Sequence, residues 1–182
     1  MGTSQHHCSD SPLLIHQYSG DTSDFNGILV GRDDGLPSRN EFENKLVMES
    51  TKITVADFLA YLQQRDLNSL MNLFSIDIKW NVPGNEQEIA WLGSRESKQE
   101  IEEFFKLLWR STQPVSAEIH RILIEGSQVM IKGEFCTKML KTNKIVSSVF
   151  FIHMVVRYAK IIEYTLLEDS FAVSQSLRET VD

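Results

Sequence analysis

Hydrophobic residues recur at helical spacing in the stretch that begins at residue 53. Thr54 is a suitable helix cap, and the apolar side chains that follow it lie on one face of a helix over residues 53-64: Val55, Phe58, Leu59 and Leu62. Asp66 can cap a second, shorter helix over residues 67-74. Because so few residues join the two segments, we expect them to pack as a helical hairpin.

A third helix carries the strongest pattern in the chain. Ser97 and Glu100 have the spacing of a capping box. Apolar residues follow at positions i, i+3, i+4, i+7 and i+8, namely Ile101, Phe104, Phe105, Leu108 and Trp109. The pattern predicts an amphipathic helix that ends near Ser111, shortly before Pro114.

Alternation of apolar and polar residues predicts five strands. The first covers residues 75-82, with Ile76, Ile78, Trp80 and Val82 expected on one face. The others follow Pro114, at residues 115-125, 128-140, 144-157 and 160-168. Their short connections imply an antiparallel meander, since parallel strands need long crossovers. With a last short helix over 170-177, the order predicts an α+β domain whose helices cover one face of a bent sheet.

Composition separates this domain from the first fifty residues. Residues 1-50 are polar and rich in turn-forming residues, and they hold eight acids and three bases, whereas residues 51-182 hold seventeen acids and fifteen bases. We interpret residues 1-50 as a disordered or loosely docked leader, residues 51-178 as the domain, and residues 179-182 as a tail.

The charge and hydropathy patterns argue against several partners. The net charge is −7 and no basic stripe is present, so nucleic acid is not expected as a partner. No apolar run approaches the roughly 20 residues that span a bilayer, and the first residues lack a signal-peptide pattern, so we expect a cytoplasmic protein that does not enter the membrane.

No cofactor or metal site is expected. The cluster His6-His7-Cys8 has the residue types of metal ligands, but no second ligand pair lies near it. The two cysteines, Cys8 and Cys136, do not indicate a disulfide framework, and Cys136 is expected to be a small buried or half-buried thiol.

Several short motifs occur together in one order over residues 52-178. They are Val82-Pro83-Gly84, Trp91-x-Gly93, Glu103-Phe104-Phe105, Glu125-Gly126-x-x-Val129-x-Ile131-x-Gly133 and Glu168-Asp169-Ser170. In these motifs the chain resembles the SnoaL-like branch of the nuclear transport factor two-like superfamily, which has the fold of ketosteroid isomerases. The resemblance implies a cone-shaped α+β barrel around a pocket, and a homodimer formed through the outer sheet face.

The same resemblance argues against standard ketosteroid isomerase chemistry. The position of the general base falls on Val82, which cannot accept a proton. The position of the oxyanion tyrosine falls on Phe58, which has no hydroxyl group to donate. A second oxyanion position falls on His153.

His153 is therefore the leading candidate for acid/base catalysis, helped by Tyr164 or Glu168. It stands in an apolar strand, where a buried polar residue needs a hydrogen-bond partner, so a core histidine is the alternative. The predicted ligand-binding residues are mostly aromatic: Phe58, Tyr61, Trp80, Val82, Trp91, Phe105, Phe135, Phe151 and Leu166.

Two assignments of strand faces affect this site. Phe151, His153 and Val155 are expected to face the pocket, and the opposite, dimer-forming face is expected to carry Met130, Ile152, Met154 and Val156. Glu118 and His120 face inward only if a bulge shifts the register of their strand, and the pattern leaves this open.

Two functions from different classes follow from the sequence. The first is an isomerase, cyclase or hydrolase that acts on a small hydrophobic molecule, and the second is a non-catalytic ligand-binding or dimerisation module. A cavity below about 300 Å³, with His153 bonded to backbone, would remove the enzyme hypothesis. The sequence does not identify the substrate.

Overall fold

A computed structural model of the chain describes residues 38-178. Four helices and six strands follow one another in the order α1 (Arg39–Gln64), α2 (Leu67–Leu73), β1 (Phe74–Val82), β2 (Gly93–Arg95), α3 (Lys98–Ser111), β3 (Thr112–Glu125), β4 (Gln128–Met139), β5 (Ile145–Arg157), β6 (Lys160–Glu168) and α4 (Ser170–Leu177). Apart from the start of α1 and the three-residue strand β2, the elements lie within a few residues of their predicted positions. The metal-ligand cluster at residues 6-8 lies outside the described residues.

Helix α1 begins earlier than predicted, at Arg39 instead of residue 53. A capping box starts it: the Ser38 side chain accepts a hydrogen bond from the Glu41 backbone N–H, and the Glu41 carboxylate accepts one from the Ser38 backbone. Residues 39-50, assigned above to the leader, thus form the first turns of α1. The boundaries of the leader and the domain stay a prediction.

The six strands form one sheet in the order β2-β1-β6-β5-β4-β3. Strands β3 to β6 make the predicted antiparallel meander. Strand β1 pairs in parallel with β6, so the sheet is mixed and not purely antiparallel. The helices pack on its concave side, and the fold is the predicted α+β class.

An aromatic cluster joins the helices to the concave face. The Trp80 ring stacks on Tyr164 with centroids 4.0 Å apart, and it meets Phe104 and Phe105 edge-on. Phe74 completes the cluster, 5.6 Å from Trp80. The indole N–H of Trp80 is buried without a hydrogen-bond partner among residues 38-178, so apolar packing alone holds this ring.

Strand β1 departs from strict alternation. Ile78 is 2% exposed, as expected for the inward face, but Ile76 is 77% exposed. The pairing of β1 with β6 shifts register between Phe74 and Lys79, which turns Ile76 outward. The prediction that Ile76 faces inward is therefore wrong.

The faces of β5 are the reverse of those predicted over its centre. Ile152, Met154 and Val156 are buried on the concave side, whereas Phe151 is exposed on the convex side and His153 lies beside it. Both faces of β5 are rich in apolar residues, so hydrophobicity alone did not identify the inner one. Met130 of β4 is exposed, as predicted for the outer face.

No helix of residues 38-178 is long and apolar enough to cross a membrane.

Candidate functional site

A cavity of about 270 Å³ lies between the helices and the concave face of the sheet. Its wall is formed by α1, α3 and α4, by the loop before β2, and by strands β3 to β6. The lining residues are Leu59, Leu62, Gln63, Arg65, Trp91, Phe104, Phe105, Leu108, Trp109, Thr112, Pro114, Ser116, Ala117, Ile119, Phe135, Cys136, Thr137, Met139, Phe150, Ile152, Tyr164, Leu166, Glu168 and Val173. Most of this wall is aliphatic or aromatic.

The end of α1 and the start of β3 mark where the cavity meets solvent. Gln63, Arg65 and Pro114 are the exposed residues of the lining. Phe105 and Tyr164 are buried residues of the lining. The cavity thus runs from a polar opening to an aromatic interior.

Six of the predicted site residues line the cavity: Trp91, Phe105, Phe135, Tyr164, Leu166 and Glu168. Phe58, Trp80 and Val82 do not, because they are packed within the core, almost wholly buried. Tyr61 packs against the edge of that core and is not among the lining residues. The prediction that these four residues line the pocket is therefore wrong.

His153 and Phe151 lie on the convex face of the sheet, away from the cavity. The Nε2 atom of His153 is hydrogen-bonded to the Gln128 side-chain oxygen, 2.7 Å away. The cavity is smaller than the 300 Å³ criterion, but His153 bonds a side chain and not the backbone, so the criterion is met only in part. The prediction that His153 and Val155 face the pocket is wrong, because the residues of β5 that line the cavity are Phe150 and Ile152.

Glu168 is the one carboxyl group among the lining residues. It lies at the end of β6, where Asp169 follows as the cap of α4. Burial raises the pKa of Glu168 to about 7, and the neighbouring Asp169 charge acts in the same direction. Near neutral pH this group can therefore both donate and accept a proton.

Tyr164 lies four residues before Glu168 on the same strand. Burial raises the pKa of its hydroxyl, and the Glu168 charge adds to the effect, so this tyrosine is neutral at physiological pH. Since its ring is fixed by stacking on Trp80, it is suited to shape the cavity wall.

Sequence reasoning missed Arg65, Phe104, Phe150 and several other lining residues. Phe150 was missed because β5 was assigned the wrong face. Phe104 belongs to the apolar stripe of α3, so the stripe itself was the available signal. Arg65 has no periodic signal, because it lies past the last turn of α1 in a left-handed conformation with φ 54°.

Cys136 also lines the cavity. It is buried as expected, but it is disulfide-bonded, so the expectation of a thiol is wrong. It therefore supplies no nucleophile to the cavity.

A separate group of polar side chains lies on the convex face. One ligand atom each from Glu118, His120 and Glu134 lies within 4.8 Å of the others, and all three residues are exposed. Glu118 and His120 face outward although the register of β3 shifts between Ile119 and Arg121, so the inward orientation that the sequence left open is not adopted. These residues take no part in the cavity.

Comparison with known proteins places the fold. The sequence profile of the SnoaL-like domain matches residues 55–164. No curated protein matches the chain.

Solved structures resemble the chain over most of their own length. An NTF2-like protein from Burkholderia xenovorans LB400 has a TM-score of 0.63 at 17% identity, covering 72% of this chain and 98% of that one. TerC, crystallised with polyporic acid, has a TM-score of 0.61 at 14% identity, covering 70% and 98%. An LEH-like epoxide hydrolase from M. tuberculosis has a TM-score of 0.57 at 15% identity, covering 71% and 90%. At these identities the likeness concerns the fold alone.

Proposed function

This chain belongs to the SnoaL-like domain family, and on that premise we propose that its cavity binds a small apolar molecule on which Glu168 acts as acid and base. The reaction class is an isomerisation, cyclisation or hydrolysis driven by proton transfer. The observation that carries the proposal is a carboxyl group with a pKa of about 7 in an apolar wall.

The raised pKa supports a catalytic role because it matches the protonation state to the working pH. A carboxyl group of ordinary pKa is almost wholly ionised at pH 7, so it is a poor proton donor. Glu168 is present in both forms there. Positioned proton transfer of this kind typically contributes about 10²- to 10⁴-fold to a rate.

The rest of the wall supports an apolar ligand. Aromatic side chains such as Phe104, Phe105 and Phe135 offer broad surface with few hydrogen-bonding groups. The volume of about 270 Å³ is close to the lower end of ligand pockets, roughly 300 Å³, which favours a compact molecule.

The names of two structural neighbours agree with small-molecule chemistry in this fold. One is an epoxide hydrolase, and another was crystallised with polyporic acid. Because a fold does not determine a reaction, these names support the class of ligand and not a substrate.

Binding is tested with the neutral apolar fluorophore N-phenyl-1-naphthylamine. Ala117 lines the cavity, and Ala117→Phe is expected to fill it and to lower the affinity at least tenfold. Ala90 is exposed and does not line the cavity, so Ala90→Phe is the matched control. Equal affinity in the wild type and Ala117→Phe, or no binding to the wild type, would contradict the proposed binding site.

Catalysis is tested by thermal-shift screening of terpenoid, steroid and polyketide-like molecules, followed by assays of turnover for those that bind. Glu168→Gln keeps the shape of the side chain but cannot transfer a proton, so we expect a loss of about 10²-fold or more in kcat. Turnover that Glu168→Gln leaves unchanged would exclude the acid/base role. Ligands that bind without turnover would favour the alternative, a non-catalytic binding module.

We also propose that the chain forms a homodimer through the convex sheet face. Exposed apolar residues of neighbouring strands pair there, Leu123 with Met130 and Phe151 with Leu167. Apolar pairs of this kind favour burial against a second copy. Phe151→Glu is expected to shift the protein to monomer in sedimentation at micromolar concentration, whereas a wild-type monomer at that concentration would contradict the proposal.

A further inference from the structure

A cationic side chain lies at the opening of the cavity. Arg65 is the C-cap of α1, and its side chain turns back to the end of α3. There the Nη1 atom lies 3.5 Å from the Trp109 carbonyl oxygen, and the guanidinium carbon lies 5.8 Å from the centroid of the Trp109 ring. Both residues line the cavity.

Contact with Trp109 restrains the Arg65 side chain without neutralising it. No carboxylate of residues 38-178 forms an ion pair with Arg65, and the Trp109 carbonyl accepts a hydrogen bond from only one of its five N–H groups. The planar fork of the guanidinium suits a carboxylate or sulfonate group.

The two charged groups of the lining, Arg65 and Glu168, differ in their surroundings. Arg65 is exposed at the opening, while Glu168 is largely shielded from solvent. Apolar and aromatic side chains form most of the wall between these polar groups. A compact ligand with one anionic group would thus place that group at Arg65 and its apolar part inside.

We propose that the ligand of this cavity is an apolar molecule with a single anionic group, which Arg65 binds at the opening. The inference rests on the proposed binding function, because it assigns the chemical class of the molecule that the cavity takes. It also gives the ligand an orientation, with the end remote from the anion directed towards the buried interior.

The test compares two fluorophores that differ in charge. 8-Anilinonaphthalene-1-sulfonate carries a sulfonate group, whereas N-phenyl-1-naphthylamine has the same ring skeleton without it. Arg65→Gln is expected to lower the affinity for the anion at least tenfold more than the affinity for the neutral probe. Arg65→Lys keeps the charge and should recover part of this difference.

Arg110 is the matched control, because it is an exposed arginine in the last turn of α3 that does not line the cavity. Arg110→Gln should leave both affinities unchanged. If Arg65→Gln affects the two probes equally, the anion-binding role is excluded while the apolar site stands. If neither probe binds the wild type, the proposed function fails first.

Discussion

The two faces of the sheet carry similar residue types in different environments. The concave face holds Glu168 in an apolar wall, where burial raises its pKa to about 7. The convex face holds Glu118, His120, Glu134 and His153, all on the solvent side of the same sheet. The environment of an ionisable group, and not its identity, therefore decides which one is suited to proton transfer.

Neighbouring residues of β5 show the same contrast for apolar groups. Phe150 lines the cavity and packs near Phe135, with ring centroids 6.2 Å apart. Phe151, the next residue, is 43% exposed on the convex face. One peptide bond therefore separates a residue of the candidate site from a residue of the proposed dimer surface.

The largest expected effect tests the two faces of β1 with one residue type. Ile78→Ala should lower the free energy of unfolding by about 2–5 kcal/mol, because it leaves a cavity in the core. Ile76→Ala, two residues away, should lower it by less than about 0.5 kcal/mol, since Ile76 is exposed. Urea denaturation measures both, and similar losses would contradict the register shift in β1.

The second-largest expected effect is the loss of folding stability when Glu168 ionises. Because the folded-state pKa of Glu168, about 7, exceeds the ordinary glutamate value of 4.5, the native state favours the protonated form. The stability from this group is complete below about pH 4.5 and is lost as the pH rises to about 7. Glu168→Gln cannot ionise, so its free energy of unfolding should rise relative to that of the wild type as the pH increases from 5 to 8. The relative gain should reach up to about 3 kcal/mol.

Glu163 is the control for that prediction, since it lies on the same strand and pairs with Lys79 at the surface. Glu163→Gln should change stability by less than about 1 kcal/mol at both pH values. A Glu168→Gln variant whose difference from the wild type is the same at pH 5 and pH 8 would show that this carboxyl is not perturbed.

The smallest expected effect is that of His153→Ala. The variant loses one hydrogen bond, to Gln128, on the convex face, so its stability should fall by about 1 kcal/mol or less. Its affinity for N-phenyl-1-naphthylamine should equal that of the wild type. A clear loss of affinity would show that His153 contributes to the binding site, and it would contradict the assignment of His153 to the convex face.

Periodicity predicted most of the fold because it reports burial directly. The capping box at Ser97 and the apolar stripe of α3 located that helix to within a residue, and turn residues separated the last four strands. The start of α1 was missed because residues 39-52 are mostly polar, and their apolar side chains Phe42, Leu46 and Val47 are exposed and do not join the core.

The candidate site was only partly predictable. Phe105, Tyr164 and Glu168 were found, since motif and strand position agree there. His153 was misplaced because both faces of β5 are apolar, and Ile76 because a register shift leaves no mark in the sequence. Arg65 reaches the cavity through a left-handed cap and a contact with Trp109, neither of which a linear pattern encodes.

The most direct test of the account is a titration of Glu168 itself. The side-chain carboxyl carbons of ¹³C-labelled protein are followed by NMR, and Glu168→Gln assigns the resonance. We predict a midpoint of about 7 for Glu168, because its carboxyl lies in the apolar wall of the cavity. A midpoint near 4.5, the value of an unperturbed glutamate, would contradict the claim that this cavity holds an acid/base group poised for neutral pH.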